Sequence, residues 1–200
     1  MKTLQSQEFK KLQTKILFLN EQKTYRVKTI SSTMDFARHK ADNNEECVVW
    51  AETQTSGRGR LENKWISPEG GLWCSIVWAE SSPEILNYLF FLVASCACEV
   101  LNLYGVKTKI KLPNDIYYKD KKIGGILIEK KGGFVILGLG INVNNRISHI
   151  QPEAISYYEI TGKTVNIKEI LVNILKTLQS YKERFSQEKD IFLKKWSEIL

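Results

Sequence analysis

Two apolar runs, Cys47–Thr53 (CVVWAET) and Leu72–Ala79 (LWCSIVWA), are separated by residues 54–71, QTSGRGRLENKWISPEGG. Each run has strand length and is rich in Val, Trp and Cys, the pattern of a strand buried within a core. The 18 residues between them carry four glycines and a Pro turn, with no helical or strand period. A structureless stretch of that length is uncommon inside a compact domain and usually serves a function. The chain is therefore constrained to a sheet whose core strands hold up a polar, glycine-rich loop.

Upstream, Tyr25–Ile30 alternates as a strand. Ser31, Ser32 and Thr33 then offer N-cap hydroxyls to a helix ending near Ala41. Downstream, Ser82-Pro83-Glu84 supplies an N-cap, a proline at the first helical position and an acidic first turn. The apolar helix it opens runs to Tyr104 and stops at Gly105. Three short strands are expected at Thr108–Leu112, Asp115–Tyr118 and Ile123–Lys130, with Lys119-Asp120-Lys121-Lys122 as a turn before the last. Gly132-Gly133 turns into a further strand, Phe134–Asn142. A helix is expected near Pro152–Thr161. A long one is expected over Ile167–Leu200, where Ile170, Leu171, Ile174, Leu175 and Leu178 share a face. Strands in runs with helices around them predict an α+β domain with a mixed β-sheet flanked by helices. Residues 1–24, polar and basic around Ile16–Leu19, read as an N-terminal extension to a domain of residues 25–200.

A chain of 200 residues, 43% hydrophobic and 26% charged, can bury a full core. Four cysteines are too few for a disulfide scaffold, and none forms a C-x-x-C pair. His39 and His149 lie far from any cysteine, so no zinc site is expected. The longest apolar stretch, Tyr88–Cys98, is too short to cross a bilayer, and the N-terminus lacks a signal peptide's apolar segment. These features predict a cytoplasmic protein with reduced thiols and no membrane partner. The net charge of +7 is uneven: +5 over residues 1–30, −5 over 31–104, +5 over 105–131 and +2 beyond. Basic stretches suit nucleic acid, phosphates or an acidic protein, and equally a solvated lysine-rich surface.

Four motifs could carry chemistry. In Gly57-Arg58-Gly59-Arg60 the glycines let backbone approach a ligand, and the arginines offer forked donors to carboxylate or phosphate. Trp65 beyond them could stack on a planar ring. A flexible basic loop would read the same way. Lys111-Leu112-Pro113-Asn114-Asp115 places amide and carboxylate at a strand end, which an Asx-type turn also explains. Lys122-Ile123-Gly124-Gly125 puts a lysine beside two glycines within a strand pattern, a sign of something bound closely. Gly138-Leu139-Gly140-Ile141-Asn142 ends a strand in small and amide residues. A P-loop, a complete dinucleotide fingerprint and a nucleophile elbow are all missing.

In order and spacing, these motifs together resemble the catalytic domain of biotin–protein ligases over about residues 26–145. Ser31-Ser32-Thr33 resembles that family's SST segment. Gln54–Arg60 resembles its Q-x-x-G-R-G-R loop, and Lys111–Asp115 its K-W-P-N-D motif. Lys122–Glu129 resembles K-x-x-G-I-L-x-E, and Gly140–Asn142 resembles G-I-N. There are departures. Met34 stands where an Asn is usual, Glu62-Asn63 where Gly-Arg is common, and Leu112 where Trp is usual.

The resemblance implies a biotin–lipoate ligase fold like that of class II aminoacyl-tRNA synthetases, and an ATP-dependent, AMP-forming ligase. Biotin would be activated as biotinyl-5′-AMP and passed to a lysine of a biotin carboxyl carrier protein, with Mg²⁺ carried on the ATP phosphates. Lys122 and Arg58 would be catalytic. Ser32, Thr33, Gln54, Arg58, Gly59, Arg60, Lys122, Gly124 and Gly125 would bind biotin. Arg58, Arg60, Trp65, Lys111, Asn114, Asp115 and Asn142 would bind the nucleotide. Residues after Asn142 read as helix, where full-length relatives continue into a small SH3-like domain. A short monofunctional form is therefore expected, without a DNA-binding domain or DNA partner, and a homodimer is compatible with it. The alternatives are a lipoate or octanoate ligase or transferase of the same fold, an inactive ligand-binding relative, and a basic nucleic-acid-binding module. The last lacks the interleaved aromatics that base stacking requires.

Overall fold

The computed structural model describes residue 9, residues 12–80 and residues 82–199. Among the described residues, eight strands follow the order β1-β2-β3-β4-β8-β7-β6-β5, with parallel and antiparallel neighbours. The chain forms two compact units. One comprises residues up to Ala79 with Leu127–Gly140, the other Glu80–Ile126 with Ile141–Leu200.

In the first unit, β1 (Thr14–Leu19) and β2 (Gln22–Ile30) make an antiparallel hairpin. Its two-residue turn takes positive φ at both Asn20 and Glu21, matching the strands' right-handed twist. Residues 14–24, expected as an extension, therefore belong to this hairpin, and the expected boundary falls inside β2. Residues 1–8, 10 and 11 of that extension lie outside the described residues. Helix α1 (Thr33–Asp42) crosses over to β3 (Cys47–Gln54), which pairs parallel with β2. Ser32 caps α1, accepting from the Asp35 amide at 3.4 Å. β4 (Leu72–Ala79) returns antiparallel to β3. The core beneath α1 gathers Tyr25, Val27, Ile30, Phe36, Ala37, Val49 and Ile136. Each large apolar side chain buried there contributes about 1.5–3 kcal/mol.

In the second unit, α2 (Pro83–Leu103) starts at the Ser82 cap and ends before Gly105, whose φ is +83°. By length and composition it could span a membrane, longer than the apolar run suggested. Eleven of its residues are buried in the fold instead. It packs on α4 (Ile167–Ile199) through Tyr88, Phe91, Phe185 and Trp196, with Phe91 and Trp196 stacked at 5.1 Å. The long helix is interrupted at Glu188, where φ is −118°. β5 (Lys109–Lys111), β6 (Asp115–Tyr118) and β7 (Lys121–Lys131) are consecutive antiparallel neighbours. The expected four-residue turn shortens to Lys119 and Asp120, because Lys121 and Lys122 already pair with Tyr118 and Tyr117. β8 (Phe134–Ile141) belongs to the first unit except for Ile141, as do residues 127–131 of β7.

Of the helix expected at Pro152–Thr161, only Tyr157–Thr161 forms, as α3. Its Ser156–Glu159 capping box places the start there, and backbone 153–155 instead bonds to Lys122: Lys122 N donates to Glu153 O and Ile155 N to Lys122 O. All four cysteines are buried and free, and burial pushes the Cys74 thiol up to about 12. They act as small hydrophobes.

Candidate active site

The first unit arranges its predicted residues around Gln54, the last residue of β3. Gln54 Oε1 accepts from the Thr33 amide at 2.8 Å and the Thr33 hydroxyl at 3.0 Å. Gln54 Nε2 donates to Ser67 Oγ at 2.8 Å, which donates on to the Trp65 carbonyl. Ser75 Oγ donates to Thr33 Oγ1 at 2.8 Å. Thr33, Ser67 and Ser75 are buried, so each hydroxyl needs these partners. Ser32 is buried too, with its oxygen on the helix cap.

The glycine-arginine loop is more structured than its composition predicts. It is bridged at Gln54–Ser67 and at Arg58–Lys64. Trp65 N donates to Gly57 O at 2.9 Å and Gly59 N to Asn63 O at 2.7 Å. A Cβ on Gly57 would lie 2.4 Å from the Trp65 carbonyl oxygen, so only glycine fits there. Arg60 is exposed and begins a single 3₁₀ turn. At the next residue, Leu61, φ is +51° and 87% of the surface is exposed. Trp65 lays its indole edge against the Gly140 backbone and meets Trp73 edge-on at 6.3 Å.

Arg58 is held by carboxylates. Its Nη1 lies 3.0 Å from Asp35 Oδ1, and its Nη2 2.9 Å from Glu129 Oε1. Arg38 contacts the same two acids, at 3.5 Å from Asp35 and through Nη2 to Glu129 Oε2. The four side chains make a closed ring of alternating charge. Glu129 ends the K-x-x-G-I-L-x-E motif, and Asp35 and Arg38 stand three apart on α1. That helical spacing signals only their own pairing.

The second unit gathers the other set. Lys122 Nζ lies 2.7 Å from Asp115 Oδ1. Gly125 pairs with Asp115 and Gly124 with Ile116, and a register shift follows between Ile116 and Tyr117. Asn114 is pinned to β7: its Nδ2 donates to Ile126 O at 3.2 Å and its carbonyl accepts from Ile126 N at 2.8 Å. Leu112–Pro113 is cis. Asn142 is buried, and its side-chain oxygen accepts from Asn145 at 3.0 Å. Lys111 is exposed, with its ammonium 4.3 Å from the Tyr117 ring centre. Among the described residues, no group of three or more His, Cys, Asp or Glu side chains could hold a metal.

Residues 26–145 match the model of the biotin/lipoate A/B protein ligase family. The chain belongs to that family. Among relatives of this ligase-family chain, the bifunctional ligase/repressor BirA of Bacillus spizizenii is 35% identical over 160 residues, 73% of this chain and 49% of that protein. BirA of Escherichia coli is 30% identical over 170 residues, covering 78% and 52%. The chain thus spans about half the length of these relatives. The biotin protein ligase of Aquifex aeolicus, solved with biotin and ATP, superposes with a TM-score of 0.75 at 34% identity. That match covers 82% of this chain and 72% of that one. These neighbours share the mixed sheet flanked by helices.

Proposed function

We propose that this family member joins biotin to a carrier-protein lysine through biotinyl-5′-AMP. The observation that carries this reading is the Aquifex likeness, a ligase seen with biotin and ATP, over the stretch bearing both the Gln54–Arg60 loop and the Lys122–Glu129 strand.

Biotin's carboxylate oxygen attacks the α-phosphorus of MgATP, and the bond to pyrophosphate breaks. The acceptor amine then attacks the acyl carbon, loses a proton, and AMP leaves. Both steps build negative charge, and the mixed anhydride must be kept from water. Lys122 suits the point where carboxylate and phosphate meet: it offsets the repulsion of two anions and stabilises the transition state. The Thr33–Gln54–Ser67 set and the backbone at Gly124–Gly125 suit biotin's polar ends. Gly59 lets loop backbone come close to the ligand. Arg60, Trp65, Lys111, Asn114, Asp115 and Asn142 serve the nucleotide, with Mg²⁺ arriving on the phosphates. The acceptor is a biotin carboxyl carrier domain. Buried, unpaired thiols suit a reducing cytoplasm.

The test is incubation with biotin, labelled ATP and magnesium. Labelled biotinyl-AMP and biotin-dependent ATP–pyrophosphate exchange are expected. Exchange with lipoate or octanoate but none with biotin transfers the chain to the lipoate branch.

A further inference from the structure

We propose that Asp35, Arg38 and Glu129 clamp Arg58 and fix the root of the glycine-arginine loop, so that Arg58 positions Arg60 instead of meeting a phosphate itself. The role assigned to Arg60 rests on the ligase reading above.

Three observations support the clamp. The first is closure. Both acids touch both arginines, from two elements (α1 and β7) and the loop, and the side chains are only 18–37% exposed. An isolated surface ion pair adds little, but a ring fixes each planar fork from two sides. The second is charge. The ring holds two cations and two anions, so a phosphate reaching Arg58 would also meet Asp35 and Glu129. Like charges brought that close near a surface repel. The third is the backbone. Gly57 is wedged against Trp65, the chain folds back between Arg58 and Lys64, and Arg60 and Leu61 stand exposed at the tip. The loop is therefore fixed at its root and projects at its tip. Asp35, Arg38 and Glu129 are positioning residues in this scheme, and Arg60 is the arginine presented to ligand.

Hydrogen exchange on the full chain without ligand tests the clamp independently of activity. Asp35→Asn and Glu129→Gln should each speed amide exchange at residues 57–60 by about tenfold, the equivalent of one well-placed ion pair. Asp42, on the same helix as Asp35, pairs with Lys131 of β7 at 2.9 Å, and Asp42→Asn should leave loop exchange unchanged. The swap Arg58→Glu with Glu129→Arg should slow exchange again relative to Glu129→Arg alone. With biotin and MgATP, Asp35→Asn should release biotinyl-AMP faster while biotin affinity stays within about twofold. Loop exchange that stays at the wild-type rate in both neutral variants overturns the clamp. So does an Arg58→Ala chain that keeps loop protection and loses only ATP affinity. If the wild-type chain makes no biotinyl-AMP, the ligase reading fails and the exchange result still decides the clamp.

Discussion

Lys122 and Asp115 face each other across β6 and β7, with Nζ 2.7 Å from Oδ1, beside the register shift at Ile116 and Tyr117. The carboxylate holds the ammonium in place on a strand. If Lys122 stabilises charge at the reacting phosphate, Lys122→Ala should lower biotin-dependent exchange by about two to four powers of ten, with little change in biotin KM. Lys121→Ala removes its strand neighbour, which pairs with Tyr118 and projects to the opposite side, and should stay near wild type. Equal, small losses from both variants would remove Lys122 from the mechanism.

Gly57→Ala should damage the loop without touching any charge. Its new methyl meets the Trp65 carbonyl at 2.4 Å and Ser67 Oγ at 2.7 Å. Overpacking of this kind costs about 1–3 kcal/mol. Urea unfolding should show that loss, and proteolysis should cut within residues 57–65 more readily than in the wild-type chain.

Gln54 is a connector, so the kind of substitution should matter. Gln54→Leu leaves the Thr33 amide and hydroxyl and the Ser67 hydroxyl without their shared partner. Each buried group left unpaired costs about 1–3 kcal/mol. Stability should drop and biotin KM should rise. Gln54→Glu keeps the acceptor for Thr33 and should recover most of the stability.

Acid should loosen the first unit through Glu45. Burial works upward on this carboxyl, but hydrogen bonds from Lys23, Tyr25 and Lys40 outweigh it and hold the group down at about 2, against 4.5 unfolded. A depressed carboxylate stabilises fully above its unfolded value, and that contribution is lost as pH falls from about 4.5 toward 2. With the site partly exposed, about 1 kcal/mol is expected after screening. Denaturant titrations at pH 6 and pH 3 should show a smaller difference for Glu45→Gln than for the wild-type chain.

Local rules explain what could be read from the sequence. Ser32 and Ser82 cap their helices, Gly105 ends α2, and the apolar runs within Cys47–Gln54 and Leu72–Ala79 give strands, because each signal acts over a few residues. The same locality misled at two places. The polar stretch before Tyr25 conceals β1, whose Ile16 and Phe18 stay exposed and so give no burial pattern. The Pro152–Thr161 segment has helical composition, yet its first residues bond to β7 backbone.

By itself the sequence determined the order of the elements from β2 onward, the glycines at the loop root and the residue types available to the site. Tertiary structure alone decided their partners. Arg38 meets Glu129 across 91 positions, and Ser75 meets Thr33 across 42. An arginine fork reads the same in a motif whether it awaits a phosphate or already grips two carboxylates. Only folding brings α1 and β7 to Arg58, and only then does the desolvated, close approach of opposite charges settle which of the two it does.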